Sequence, residues 1–180
     1  MKEARVLLLA AGHGKRAGGP KAWGNHGGTT LLEAHLDFFR EFLAPSDLSI
    51  TIQNEWGDRC RSISSDTTWV AVDPDASPLN SLQKLIEASS PIRSFVLHVD
   101  MPVFDQSVYE ALWNVEGDAI VPTYERRRGH PVLLSPSAMN EIKRLNPLTD
   151  RLDSWLRQRN ALEVAVSTDI ILRNHNERVS

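Results

Sequence analysis

Val6-Leu7-Leu8-Leu9-Ala10-Ala11-Gly12-His13-Gly14-Lys15-Arg16-Ala17-Gly18-Gly19-Pro20-Lys21 is the stretch that decides the reading of this chain. An apolar, strand-length run stops at small residues, and a glycine-rich loop carrying Arg16 and Lys21 follows. Glycine lets a backbone approach a ligand closely and turn successive N–H groups toward it. Two cations beside such a loop suit a polyphosphate, so the stretch points to a nucleotide and to chemistry on its phosphates.

Two common phosphate motifs are set aside first. A P-loop places Lys-Ser/Thr directly after its second glycine. Gly14 and Gly19 have the right separation, but Pro20-Lys21 follows them and no hydroxyl neighbours the lysine. Gly12-His13-Gly14-Lys15-Arg16-Ala17 fits the looser dinucleotide fingerprint. That fingerprint also wants an acidic residue ending a second strand about 20 residues on. Here Leu31 to Leu43 reads as helix instead.

Working outward, strands and helices alternate. Arg5 to Ala10 reads as a buried strand. Thr30 and Glu33 form a capping box ahead of Leu32, Leu36, Phe39 and Leu43, and Pro45 stops that helix. Further strands are expected at Leu48 to Gln53, Trp69 to Val72, Ser94 to Val99, Ala119 to Val121, Pro131 to Leu134 and Leu162 to Val166. Further helices are expected at Leu79 to Ala88, after Asp105 as cap, from Ser135-Pro136 through Leu145, and from Thr149 to Arg159. The alternation argues for a Rossmann-like three-layer α/β sandwich: a mainly parallel sheet with helices on both faces. At 180 residues the chain reads as a single domain, 1–180.

Composition narrows the class. Net charge is −3, which gives no global basic field for nucleic acid. No apolar segment reaches membrane length. The lone Cys60 permits no intramolecular disulfide and reads as an inert thiol, which fits a cytoplasmic protein. Protein partners leave no sequence signature.

In such sheets ligands sit at the carboxyl ends of the strands. The glycine loop, Asp73-Pro74-Asp75, His98-Val99-Asp100-Met101-Pro102 and Gly129-His130-Pro131 all fall on that rim. Asp100 is the sharpest of these residues. A carboxylate ending a buried apolar strand is costly unless it is paired, solvated or bound to metal. At a phosphate site it would hold Mg²⁺, which takes one or two carboxylates with phosphate oxygens and water. Asp105 is the better helix cap, which leaves Asp100 for function. His98 reads as a histidine satisfied within the sheet.

Leu-Ala-Ala-Gly-x-Gly-x-Arg-x-Gly-Gly-Pro-Lys at residues 9–21 resembles the signature of the nucleotidyltransferases that make molybdenum cofactor dinucleotides, and of their sugar-nucleotide relatives. Asp100-Met101-Pro102 resembles that family's metal-binding segment, and Gly129-His130-Pro131 its turn beside the acceptor. Asn80-Ser81-Leu82 resembles a segment lying against base or ribose, without the glycine usual ahead of it. The resemblance implies Mg²⁺-dependent transfer from a nucleoside triphosphate to a small phosphorylated acceptor, molybdopterin carrying molybdenum. It assigns catalysis to Arg16, Lys21 and Asp100, and nucleotide binding to Ala10, Ala11, Gly12, Gly14, Lys21 and Ser81. It puts the acceptor at Gly129 and His130, with Arg126 to Arg128 steering an anion. Ala10-Ala11-Gly12 resembles the cytidylyl branch more than the guanylyl branch, so CTP is favoured. The family usually closes on an acidic or asparagine metal ligand before Thr-Pro. Here Asn174-His175-Asn176 stands there without Thr-Pro, making Asn176 the second metal ligand and His175 a surface residue. A sugar-phosphate nucleotidyltransferase and a non-catalytic nucleotide-binding homologue remain open alternatives.

Overall fold

The computed structural model describes residues 3–14 and 18–175. Ten strands run in chain order: β1 (Arg5–Leu9), β2 (Asn25–His26), β3 (Thr29–Thr30), β4 (Leu48–Ile52), β5 (Thr68–Ala71), β6 (Ser94–His98), β7 (Ala119–Tyr124), β8 (Arg127–Arg128), β9 (Val132–Leu134) and β10 (Leu162–Ala165). The α-helices are α1 (Leu31–Arg40), α2 (Gly57–Ile63), α3 (Pro78–Ala88), α4 (Gln106–Trp113), α5 (Pro136–Ile142) and α6 (Leu152–Gln158).

The main sheet has the order β10-β7-β9-β6-β1-β4-β5, with β8 paired to β7. β1 is parallel to both β4 and β6, β4 to β5, and β7 to β10. β9 alone on this path is antiparallel, lying between β6 and β7. This is the Rossmann-like α/β sandwich, with one reversed strand. The reversal matters for the site. Because β9 runs backward, its start lies on the same rim as the carboxyl ends of its neighbours.

The period-2 alternation of a strand explains both layers. Val6 and Leu8 of β1 point into one core with Leu32, Leu36 and Phe39 of α1 and Tyr109 of α4. Leu7 and Leu9 point into the other, with Leu82 and Leu85 of α3 and Met139 of α5. β1 is therefore apolar from Val6 to Leu9 because both its faces are covered there.

The starts of α1, α3, α4 and α5 follow their side-chain caps. Thr30 and Glu33 make the capping box of α1. Ser77, Asp105 and Ser135 accept backbone N–H groups at the starts of α3, α4 and α5. Several expected boundaries shift. α1 ends at Arg40 rather than Leu43, α5 at Ile142 rather than Leu145, and α6 starts at Leu152 rather than Thr149. Beyond α1 and α5 the apolar residues Leu43 and Leu145 still pack, but from turns. Asn146 and Asp150 hold the turn before α6 by bonding each other's neighbourhood (Asn146 N–H to Asp150 Oδ2, Asp150 N–H to the Asn146 carbonyl, both 2.8 Å).

Candidate active site

The glycine loop leaves β1 at the point where the strand order reverses, with β4 on one side and β6 on the other. A ligand crevice is expected at that switch point. The first peptides past β1 are fixed by β4. Thr51 Oγ1 accepts the Ala10 N–H at 2.9 Å, and the buried Gln53 donates from Nε2 to the Ala11 carbonyl at 2.9 Å. Of the four backbone groups on Ala10 and Ala11, two are thus taken by the fold. A base read at this pair would meet the Ala10 carbonyl and the Ala11 N–H.

Gly14 shows why the loop needs glycine. Its φ is +60°, and a Cβ there would lie 1.8 Å from the Gly19 carbonyl oxygen. The Gly19 N–H closes the loop on the Gly14 carbonyl at 3.3 Å. The chain then enters a 3₁₀ turn, Lys21–Trp23, with Ala22 fully buried.

Lys21 reaches the end of β6. Its Nζ lies 2.8 Å from Asp100 Oδ2, each side chain about one-quarter exposed. The two residues stand 79 positions apart in sequence. Together with Ala10, Ala11, Gly12, Gly14, Thr51 and Ser81 they line one cavity. Ser81 is buried on the first turns of α3. His13 reaches Asp75 beyond β5, with Nε2 3.4 Å from Oδ1. Arg16 and Asn176 lie outside the described residues.

A second cavity of about 810 Å³, within the usual size of small-molecule sites, shares Leu9, Pro78 and His98 with the first. Gly129 and His130 line it, as do Arg128, Arg151 and Arg157. Arg128 also bonds Glu163 at 2.7 Å. Arg126 and Arg127 are exposed at the β7–β8 turn and do not line this cavity. Gly129 has a packing reason as well: a Cβ would meet the Ile171 carbonyl oxygen at 2.3 Å.

One histidine reading is corrected and one is extended. His98 ends β6 within the sheet, as expected. It forms part of the wall between the cavities, its ring edge-on to His130 with centroids 6.0 Å apart. Burial pushes its imidazole below the ordinary histidine range, and pushes His130 down to about 4. His175 is half-buried rather than on the surface. Its backbone N–H bonds the Asp100 carbonyl at 2.6 Å, and its ring packs on His26. Period and spacing locate a residue on an element but not what another segment brings against it, which is why neither environment is visible in the sequence. Gln53 was missed too, since a glutamine after a strand carries no signal of its own.

Among the described residues, no three His, Cys, Asp or Glu side chains form a metal cage. A single partly exposed carboxylate lining a cavity can instead give an oxygen ligand to a hard ion completed by phosphate oxygens and water. Asp100 fits such an ion.

A family model described as the MobA-like NTP transferase domain matches residues 6–164. No curated protein matches the sequence significantly. Among solved structures, Rv0371c from Mycobacterium tuberculosis H37Rv superposes with a TM-score of 0.74 at 23% identity, covering 96% of this chain and 92% of that one. The same protein solved in complex with manganese gives 0.69 at 21%, covering 92% and 89%. Molybdopterin-guanine dinucleotide biosynthesis protein A from Archaeoglobus fulgidus gives 0.67 at 19%, covering 90% and 83%.

Proposed function

The chain belongs to the MobA-like NTP transferase domain family, and from that premise we propose that it moves a cytidylyl group from CTP to molybdopterin carrying molybdenum, releasing pyrophosphate. The observation that carries the reading is the meeting of Lys21 and Asp100, 2.8 Å apart, on the floor of one cavity that shares a wall with a second. One cavity would hold the nucleotide and the other the acceptor.

The acceptor's terminal phosphate attacks the α-phosphorus. A new P–O bond forms there, the bond to the β-phosphate bridging oxygen breaks, and pyrophosphate departs. Such a phosphate is largely ionised near neutral pH, with a second pKa of about 6, so no general base is needed. The work of the chain is positioning and charge stabilisation. Lys21 neutralises charge on the triphosphate and leaving group, with Arg16 as the second loop cation. Gly12 and Gly14 let the backbone close on the phosphates, and Ser81 lies against the base or ribose. Asp100, with Asn176, would hold Mg²⁺, which supplies charge neutralisation across the reacting phosphates when bound.

In the second cavity, Arg128, Arg151 and Arg157 suit an anion. Asp150 and Asp153 suit the amino groups of a heterocycle, and Leu79, Leu82 and Val132 suit a flat ring. Gly129 and His130 line it as well. We read residues 1–180 as one cytoplasmic nucleotidyltransferase domain; among the described residues no helix is long and apolar enough to cross a membrane.

Pyrophosphate release tests the reading, with each common nucleotide and with molybdopterin or sugar phosphates as acceptors. Release with CTP and molybdopterin is expected. Release only with sugar phosphates moves the acceptor assignment. Nucleotide binding without release under any pairing points to a non-catalytic homologue.

A further inference from the structure

The glycine loop is gripped at both ends by one crossover, the strand β4 and the helix α2 that follows it. At the outgoing end the contacts come from Thr51 and Gln53. A trans peptide is planar, with C=O and N–H directed oppositely. Gln53 holds the Ala11 carbonyl at 2.9 Å, so the Gly12 N–H on that same peptide points the other way. The peptide at Leu9–Ala10 is fixed alike, with its N–H on Thr51 and its carbonyl accepting from the Val99 N–H at 2.9 Å. Gln53 is only 4% exposed, and a buried amide held for no purpose is costly.

At the returning end the contact comes from α2. The Arg59 guanidinium lies 3.6 Å from the centroid of the Trp23 ring, and Trp56 meets that ring edge-on at 5.3 Å. Trp23 closes the 3₁₀ turn that begins with Lys21, where the Gly24 N–H bonds the Lys21 carbonyl at 3.0 Å. A shift of Trp23 therefore shifts the lysine backbone. The fully buried Ala22 between them leaves the turn no freedom to slide.

Resting on the nucleotide-site reading above, we propose that the β4–α2 crossover is the positioning element of the nucleotide loop. Gln53 aims the outgoing Gly12 N–H, and Arg59, through Trp23, holds the returning Lys21. Neither residue touches the reacting atoms; each acts through a loop group that does. The two arms act through different groups, which makes them separable.

The test is calorimetric titration of CTP, and in parallel GTP, with magnesium into wild type, Gln53→Met, Arg59→Gln and Arg59→Lys, each repeated on a Lys21→Ala background. Methionine matches glutamine in length but cannot donate. Gln53→Met is expected to weaken nucleotide binding roughly tenfold in both backgrounds, the scale of a lost buried hydrogen bond. Arg59→Gln is expected to weaken it about fivefold with Lys21 present and not at all without it, on the scale of an exposed cation–π contact. Arg59→Lys should restore most of the loss. Thermal midpoints are measured on the nucleotide-free proteins, and titrations are run well below them. Should Gln53→Met not fold, Gln53→Asn, which withdraws the amide by one methylene, replaces it. Wild-type affinity in the variants overturns the proposal, as does an Arg59→Gln loss that persists without Lys21. Wild type binding neither nucleotide overturns the nucleotide-site reading itself, and this proposal with it.

Discussion

Among single residues, two opposite charges stand at close range on the wall of the first cavity. Lys21 and Asp100 form a pair that is partly open to water, and such pairs add little to stability. Their removal is therefore expected to show in chemistry and not in folding. Asp100→Asn keeps size and removes the charge, so turnover should vanish while the circular dichroism spectrum and thermal midpoint stay close to wild type; normal turnover would remove Asp100 from the mechanism. Lys21→Ala should slow turnover by ~10²–10³, the range for loss of one preorganised electrostatic group. Arg16→Ala is expected to do the same, and single-turnover rates check both. Nucleotide choice belongs at this scale too. Under the proposed reading, the Ala11 methyl group would narrow the point where the backbone turns beneath the base, which would suit a pyrimidine. CTP is expected to bind more tightly than GTP, and Ala11→Gly to narrow the difference in calorimetric titrations. Tighter GTP binding by wild type would reverse the branch assignment and leave nucleotidyl transfer standing. Lys21 and Asp100 stand out as candidates in the sequence, Lys21 because it closes the glycine-rich loop and Asp100 because it ends a strand-length apolar run. Gln53, His98 and His175 do not, because their roles depend on partners 42, 32 and 75 positions away (Ala11, His130 and Asp100 respectively).

At the scale of elements, the strands and the capped helices declared themselves. β1 reads as a run buried on both faces, and the Thr30–Glu33 box and the Asp105 and Ser135 caps fall where side-chain chemistry put them. What stayed hidden was short or polar. α2 spans only Gly57–Ile63 and carries Asp58, Arg59 and Arg61, so no apolar period marks it. The β2–β3 hairpin is two residues a side, turned by Gly27 and Gly28 at φ +62° and +93°. Its Gly-Gly signal was present, yet flanked by no alternating apolar residues. The loop itself supplies the sharpest test at this scale. Gly14→Ala combines a left-handed φ with a backbone collision at 1.8 Å, so the loop must open. Nucleotide affinity should fall roughly tenfold or more, since a backbone strain of 1–3 kcal/mol is removed only by moving the donors. The thermal midpoint should hardly move, as the loop lies outside both cores. Unchanged affinity would mean that the loop does not contact the nucleotide.

For the whole molecule, the alternation of strand and helix foretold a parallel sheet covered on both faces, and the two cores of β1 bear that out. The antiparallel insertion of β9 between β6 and β7 was not legible, because pairing order is set by long-range packing that one strand's residues do not encode. That reversal carries Gly129 and His130 to the rim and so makes the second cavity. Packing also sets a response to acid. His35 is fully buried between α1 and the end of β6, bonding the Val99 carbonyl at 2.8 Å, and burial lowers its pKa from 6.5 to about 4. The unfolded chain therefore binds the proton more readily between pH 6.5 and 4, so stability falls as pH drops through that window, by on the order of 3 kcal/mol for this imidazole. Urea unfolding from pH 7 to 4.5 should show that loss, and His35→Leu should lessen it by this imidazole's share, the buried His130 and His98 keeping theirs; an unchanged slope in the variant would place the acid sensitivity elsewhere. Divalent-metal-dependent nucleotidyl transfer in the Lys21–Asp100 cavity is tested by pyrophosphate release from CTP and molybdopterin with magnesium, in wild type and Asp100→Asn side by side. Release by wild type that a chelator abolishes and Asp100→Asn lacks is expected; metal-independent release, or equal release by the folded variant, would refute such chemistry at this cavity.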